Sequence, residues 1–448
     1  MFAKFVEEIS DFLIIIAAAI VVLGGALYFF PELFAVLFSD EFKKAVSVIY
    51  YLFPFWGPPV LAIALFYIWV GYVRSLFISK QKYVVLEIRL PRDVFKSPLA
   101  MELALAGIWT TAMESTWHDV YWLGKVRPWH SLEIVSTEGN IHFYIWTREN
   151  YRHVIESQLY SQYPDIEIFE VSDYASAVTA HDIDSGKVSI WAHTYALKMP
   201  DPYPIKTYVD YGLDKDPKEE FKVDPLTSVI EFMAAIKKGE HMWMQIIIQG
   251  HKKKKNSHKG WFAEWNIYDE AKYEVDELLK KLKEQAPNAL REGEDQISYS
   301  RFPTRGEAEV IAAIQRQTSK LNFDCGIRFL YLATPGNFSS TRINQSIAVL
   351  TPFNTLNLNS FAFSWGTGFD IDWWSDPTGL RREHRRREAI EAYRARGWFH
   401  APFNNHVPFV LSAEELATLF HIPGGVLQVP SVNRIMSKKS EAPVNLPQ

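Results

Sequence analysis

The sequence predicts an α+β protein: a two-helix transmembrane hairpin over residues 1–82, two ferredoxin-like lobes of β-α-β-β-α-β order, and a C-terminal helical segment. Three observations carry this expectation. Residues 12–30 and 45–73 contain no charged side chain. From residue 83 onward, β-branched runs alternate with helical patterns, and the order recurs. Beyond residue 350 the periodicity is mainly helical, with seven arginines between residues 381 and 396.

A helix needs about 20 apolar residues to cross the hydrocarbon core of a bilayer, and both uncharged stretches reach that length. Pro31 ends the first, while Pro54, Pro58 and Pro59 crowd the start of the second. Proline suits the first turn of a helix and not its middle, so the second span is expected at about residues 56–78. A cleaved signal peptide has a basic n-region and a shorter core, whereas Glu7, Glu8 and Asp11 precede the first stretch. Phe66, Tyr67, Trp69 and Tyr72 leave the second stretch no polar face, which fits a span with an aromatic belt rather than a buried core helix. Arg74, Lys80, Lys82, Arg89 and Arg92 follow the second span. Lys43 and Lys44 in the loop at 31–55 stand beside Glu32, Asp40 and Glu41. The positive-inside bias then places the body and both termini on the cytoplasmic side of the inner membrane. The loop lies outside, with Leu33, Phe34, Leu37 and Phe38 at the interface.

The residues beyond 82 are too many for one ordinary core. The expected divisions are lobe 1 at 83–175, lobe 2 at 176–350, the helical segment at 351–436 and a linker at 437–448. The single cysteine, Cys325, excludes a disulfide framework within the chain and agrees with a reducing compartment. A net charge of −5 argues against polyanion binding by the protein as a whole, so basic character is local.

In lobe 1, residues 83–90 (YVVLEIRL) read as a strand by their β-branched content. Residues 98–111 have helical spacing, with Leu99, Leu103 and Ile108 on one side. Leu132 and Ile134, then Ile141, Phe143 and Ile145, alternate with polar neighbours around Glu138-Gly139-Asn140, a hairpin with a short glycine turn. Residues 148–162 follow as a helix capped by Thr147, with Tyr151, Val154, Ile155 and Leu159 on one face and Pro164 as its stop. Residues 166–171 form the closing strand.

Lobe 2 repeats the order more loosely. Residues 188–197 read as a strand, 226–237 as a helix and 242–249 (MWMQIIIQ) as a buried strand. A charged helix at 270–283 is inserted after a basic loop. A strand near 297–300, a helix at 305–321 and a strand at 327–333 complete the unit. Thr304 and Glu307 form a capping box, as do Ser412 and Glu415 ahead of a helix at 413–421. Asp376 and Pro377 open the arginine helix and Gly397 ends it.

No phosphate-cradling G-x-x-x-x-G-K-[ST] motif, G-x-S-x-G elbow or H-E-x-x-H pair occurs in the sequence. Gly366-Thr367-Gly368 reads as a turn. Cys325 reads as a packed thiol at the start of an apolar strand. His118, His130, His142 and His153 lack metal-ligand spacing. Asp370, Asp372 and Asp376, near Trp373 and Trp374, suit a capped turn better than a cation site. No catalytic residue, cofactor or metal is therefore expected. The candidate sites are two basic runs. Lys252, Lys253, Lys254, Lys255 and Lys259 could meet phosphates or anionic lipid, against a solvated loop tip. Arg381, Arg382, Arg385, Arg386 and Arg387 lie on a helix partly neutralised by Glu383, Glu388 and Glu391, which could face a partner, nucleic acid or solvent.

Residues 131–171, 302–333 (FPTRGEAEVIAAIQRQTSKLNFDCGIRFLYLA) and 411–424 (LSAEELATLFHIPG) together resemble the N-terminal, membrane-anchored region of bacterial type IV secretion and conjugative DNA-transfer ATPases. The segments come in the same order and span most of the body. In that family a RecA-like motor follows the segment resembling 437–447, and this sequence stops at Gln448. No catalytic position can be carried over. The resemblance implies a role in anchoring and positioning a motor, expected in trans or beyond this sequence. The implied partners are the membrane, an ATPase subunit and nucleic acid, with homo-oligomerisation left open. A membrane-tethered nucleic-acid or lipid-binding module is the alternative, ahead of a membrane-bound hydrolase.

Overall fold

The computed structural model describes residues 40–91, 96–214, 223–252, 254–257, 260–284, 303–368, 376, 379–423 and 434–435. The chain divides into two compact units, residues 1–73 and 74–448. Helix α1 (Asp40–Ser79) holds Pro54, Pro58 and Pro59 in its interior, so the prolines do not start the helix and residues 40–55 are not loop. Apolar membrane helices tolerate interior proline where neighbouring groups re-satisfy the freed carbonyls. Within α1, Gly57–Ser79 is long and apolar enough to cross a membrane, the only such helix among the described residues. The first expected span at 12–30 lies outside the described residues, as do the strand at 297–300, the acidic turn at 370–372 and the tail at 437–448.

The body opens with β1 (Tyr83–Pro91), α2 (Leu99–Ile108), the short α3 (Trp117–Tyr121), β2 (Trp129–Thr137), β3 (Asn140–Arg148), α4 (Arg152–Gln162) and β4 (Glu167–Val171). The β2–β3 turn takes Glu138 and Gly139 to φ of 54° and 89°, the left-handed pair that matches strand twist in a two-residue hairpin. The strands pair antiparallel as β4–β1–β3–β2. Three details differ from the periodicity. Leu99, Leu103 and Val154 are exposed, while Met101, Ala104, Leu105, Ile155 and Leu159 are buried. Thr147 caps no helix; its hydroxyl bonds His130 Nδ1 at 2.8 Å inside the sheet, because a turn of 3-10 helix at Glu149–Tyr151 separates β3 from α4.

After α5 (Ala180–Asp184) come β5 (Ser189–Leu197), α6 (Pro225–Ala234) and β6 (Glu240–Gly250). An excursion then carries β7 (Lys254–Ser257), β8 (Gly260–Trp265), α7 (Ile267–Glu284) and α8 (Arg305–Thr318). The main sheet resumes with β9 (Asn322–Ala333), α9 (Ser340–Ala348) and β10 (Phe361–Gly366). These strands pair antiparallel as β10–β5–β9–β6. The last helix and strand of this half are therefore α9 and β10. Helix α8 lies in the excursion, where Ile314 packs with Tyr203 and with Ala271 of α7. The tail is helical in part only: α10 (Leu380–Arg394) and α11 (Ala413–Leu419) accompany β11 (Phe409–Ser412), which pairs with β9, and β12 (Arg434–Ile435), which pairs parallel with β1. The expected capping boxes at Thr304/Glu307 and Ser412/Glu415 form. Asp376 receives the Arg381 and Arg382 amides ahead of α10.

Strands β2 and β6 join the halves, pairing antiparallel from Trp129↔Gln249 to Thr137↔His241. The result is a mixed α/β unit built on a ten-stranded, mainly antiparallel sheet. Both faces are covered, so central strands are buried on each side, as in layered folds. One face packs Leu132, Ile134, Met244, Ile246, Ile327 and Phe329 beneath α2, α4, α6 and α11. The other packs Trp129, Trp146, Trp243, Leu330 and Trp398 beneath α10. Gly326 is required there, since a Cβ would collide with the Trp398 indole. Ile155 is 1% exposed between α4 and the sheet. Ile155→Asp buries an unpaired charge at a cost of several kcal/mol, on the order of the total stability. Its protease resistance should be lost while Ile155→Val keeps it; a resistant Asp variant would place Ile155 outside the core.

Candidate functional site

The register across the halves places one polar row on the α10 face. Glu87 faces Tyr144, Tyr144 faces Glu133, Glu133 faces Gln245, Gln245 faces Arg328 and Arg328 faces Thr194. Every member is buried. A buried carboxylate is tolerable only if paired and hydrogen-bonded. Glu133 accepts from Ser131 Oγ at 2.7 Å, Gln245 Nε2 at 2.9 Å and Tyr174 Oη at 2.7 Å. Arg396 donates through Nε at 3.0 Å and Nη2 at 3.3 Å. Asp173 receives the remaining face of the same guanidinium, through Nη1 and through Nη2 at 2.8 Å. Tyr393 of α10 closes the group by a 2.6 Å hydroxyl contact with Tyr174.

Burial by itself would lower the Arg396 pKa, but the Glu133 and Asp173 carboxylates outweigh it and hold the guanidinium charged well above its ordinary range. Burial pushes the Tyr174 and Tyr393 hydroxyls far up, so both remain neutral donors. Arg396 adopts φ of 47°, a left-handed conformation costly for a side chain with a Cβ. The chain turns there from α10 into the Trp398 loop, and Trp129 Nε1 donates to the Arg396 carbonyl at 3.0 Å. Arg328 has a different setting. It donates to the Gly397 carbonyl and lies 5.0 Å from the Trp398 ring, and burial lowers its pKa to about 9.

A second ionic group lies on the opposite face. Glu414 accepts from Thr207 Oγ1 at 2.6 Å and pairs with Arg316 at 3.2 Å and Lys320 at 3.4 Å. Lys320 also reaches Glu102, which accepts from Tyr208 Oη at 2.7 Å. Glu415 receives the Ile205 amide and Gln317 Nε2 at 2.9 and 3.0 Å. These contacts tie α2, α8, α11 and the irregular segment at 203–213 together. Among the described residues no group of three His, Cys, Asp or Glu is placed to hold a metal. Cys325 is enclosed, its thiol donating to the Phe323 carbonyl, and burial raises its pKa far above the usual range.

The two basic runs fall in different places. Lys252 is exposed just past the end of β6, its Nζ donating to the Glu114 carbonyl at 2.8 Å. Lys254 and Lys255 lie in β7, while Lys253 and Lys259 lie outside the described residues. Arg381, Arg382, Arg385, Arg386 and Arg387 occupy the first half of α10. Arg381 and Arg382 are exposed, Arg386 is half-buried with a pKa lowered by burial, and Arg387 pairs with Asp184 of α5 at 2.7 Å. Sequence reasoning did not single out Glu133, Gln245, Arg328 or Arg396. The available signal was a lone polar residue at the centre of an apolar run, as in SLEIV and MWMQIII.

A family described as a domain of unknown function, DUF8128, matches residues 109–434. The chain belongs to the DUF8128 family. The matched region contains the β2–β6 seam and every residue of the Glu133–Arg396 group. No protein of curated function matches the chain. Within this DUF8128 body the ion pair makes a specific demand on stability. Arg396→Met leaves Glu133 buried without its counter-ion and should cost about 3–5 kcal/mol. Adding Glu133→Gln should recover much of that loss, a coupling readable in a double-mutant cycle of denaturant midpoints. Additive losses would show that the pair does not brace the seam.

Proposed function

We propose that this DUF8128 protein is a membrane-anchored, non-catalytic scaffold or coupling component of a type IV secretion or DNA-transfer apparatus, positioning a separate ATPase motor. The carrying observation is how its buried charges are used. Glu133, Glu414 and Glu415 are each enclosed and each bonded to groups from distant parts of the chain, so they brace the body rather than face a substrate. A braced body attached to an apolar helix suits a component that holds something else in place. The resemblance of residues 131–171, 302–333 and 411–424 to the membrane-anchored region of conjugative ATPases supports the choice of apparatus.

In this reading residues 12–30 and 57–79 form a hairpin in the inner membrane, and the body faces the cytoplasm. Each half of the sheet is a ferredoxin-like lobe. The antiparallel orders β4–β1–β3–β2 and β10–β5–β9–β6, with helices crossing between strands, support that assignment. Arg381 and Arg382, exposed at the start of α10, are the surface offered to the motor. The alternative occupant is nucleic acid, whose binding would weaken by about 0.9 log units per log of salt for each phosphate neutralised.

A photo-crosslinking residue at Arg382 of the full chain in its native membrane is the test. The expected adduct is a polypeptide carrying a phosphate-loop ATPase domain. Adducts limited to nucleic acid would favour the alternative, and adducts limited to proteins without a nucleotide-binding motor would contradict the coupling role.

A further inference from the structure

We propose that the end of the sheet where α1 joins it is a bilayer-contact surface, with Trp117, Trp122 and Leu123 entering the interface and Lys80, Lys82 and Lys252 meeting anionic lipid headgroups. The inference rests on the reading that Gly57–Ser79 crosses a bilayer, and it adds which side chains of the body meet lipid.

Chain connectivity sets the geometry. Strand β1 starts at Tyr83, four residues after α1 ends at Ser79, and at about 3.5 Å per residue the sheet begins within roughly 14 Å of the span. Arg148 faces Tyr83 in the register, and its guanidinium lies 5.6 Å from the Phe77 ring of α1. The same end of the sheet holds the start of β2 and the end of β6, through Trp129↔Gln249, and the start of β9, through Gly250↔Phe323. The segment at 109–128 and the excursion after β6 both leave the sheet here.

Those two segments are fastened to the same point. Arg148 donates to the Val126 carbonyl at 3.3 Å, the Arg127 carbonyl at 3.2 Å and Met113 Sδ at 3.4 Å. Arg127 pairs with Glu114 at 3.0 Å and donates to the Gly250 carbonyl at 2.5 Å. Lys252 reaches the Glu114 carbonyl. A side chain on Gly250 would strike the Thr110 carbonyl, so β6 and the 109–128 segment approach backbone to backbone. The loop is thus held against the span-proximal end by Val126, Trp109 and these polar contacts, while Trp117, Trp122 and Leu123 stay exposed.

The chemistry of the exposed groups identifies the occupant. Trp117 is 65% exposed, Trp122 57% and Leu123 43%; Trp117 opens the short helix α3, which Thr116 caps and the Lys125–Asp119 pair closes, and the other two follow it. Tryptophan favours the headgroup level of a membrane, where its ring is apolar and its N–H is solvated. Lys80, Lys82 and Lys252 are exposed around the same end, and ammonium groups on long stems reach anionic headgroups while the stems lie along apolar surface. The opposite end of β2 and β3 carries Glu138 and Asn140 at its turn, about 27 Å away at the rise of a strand.

The experiment uses the full chain in lipid nanodiscs containing brominated phosphatidylcholine, with or without phosphatidylglycerol. A bimane is placed by Trp117→Cys, by Leu123→Cys or, as the reference, by Asn140→Cys; the native Cys325 is enclosed, and the unsubstituted chain gives the background. Groups seated about 5–10 Å into the headgroup and acyl boundary are within reach of brominated tails, so labels at 117 and 123 should lose roughly half of their emission or more while the label at 140 loses none. Equal emission at all three sites, or a label shielded by a co-purifying protein instead of lipid, overturns the contact. A chain that leaves the discs altogether overturns the spanning reading as well, which separates the two failures. Combined Lys80→Gln, Lys82→Gln and Lys252→Gln should weaken quenching at 117 in the anionic discs and not in the neutral ones. Unchanged quenching in anionic discs would overturn the role of the lysines.

Discussion

The ion pair between Glu133 and Arg396 is the constraint on which the body depends. Glu133 is in β2, its cross-strand neighbour Gln245 is in β6, and Arg396 arrives from the far end of the chain. Both charged side chains are fully enclosed. Desolvating two such groups is costly, and the cost is offset only when geometry and hydrogen bonding are nearly complete. Here the carboxylate meets donors from Ser131, Gln245, Tyr174 and Arg396, and the guanidinium meets a second carboxylate in Asp173. Whatever the pair contributes to net stability, removing one partner leaves a bare charge at the seam. The two halves and the tail must therefore be in register together or not at all.

The tail makes that requirement general. Helix α10 lays Ala389, Ile390 and Tyr393 on one face of the sheet, while α11 lays Leu416, Ala417 and Leu419 on the other. Between them β11 pairs with β9, and Ser412 leads directly from that strand into α11 as its cap. Neither half of the sheet covers both of its own faces, and residues beyond 380 complete the burial of both. The 203–213 segment is held in the same manner by Thr207–Glu414 and Ile205–Glu415 contacts. A body closed by its own last elements cannot release its tail without exposing both faces of the sheet.

Much of the first half was legible in the sequence because its elements are local. The hairpin at Gly139, the alternation of β2 and β3 and the helix at 152–162 each follow from nearest-neighbour spacing. The second half was legible only in part, since the excursion between β6 and β9 separates strands that pair directly. The helix expected at 305–321 reads as the crossover helix because it precedes a strong strand, yet the observed helix, Arg305–Thr318, packs with α7 and the crossover is α9. The face of α2 was misread at Leu99 and Leu103, where Ala100, Met101 and Ala104 take buried positions instead, whereas in α4 Ile155 and Leu159 are buried as their spacing implies and only Val154 departs. The candidate arginines were visible as a run. Arg396 was not, because what distinguishes it is a carboxylate more than 200 positions away, at Glu133.

Amide hydrogen exchange across the β2–β6 seam tests the central claim most directly, followed by mass spectrometry on the full chain in detergent. Core amides exchange by global unfolding, and independent units exchange at their own rates. Peptides covering β2, β6, β9 and α11 should exchange slowly and with one common free energy of opening, and Arg396→Met should lower that value in all four together. Separate rates for the two halves, with Arg396→Met affecting only the tail, would contradict a single body braced at Glu133.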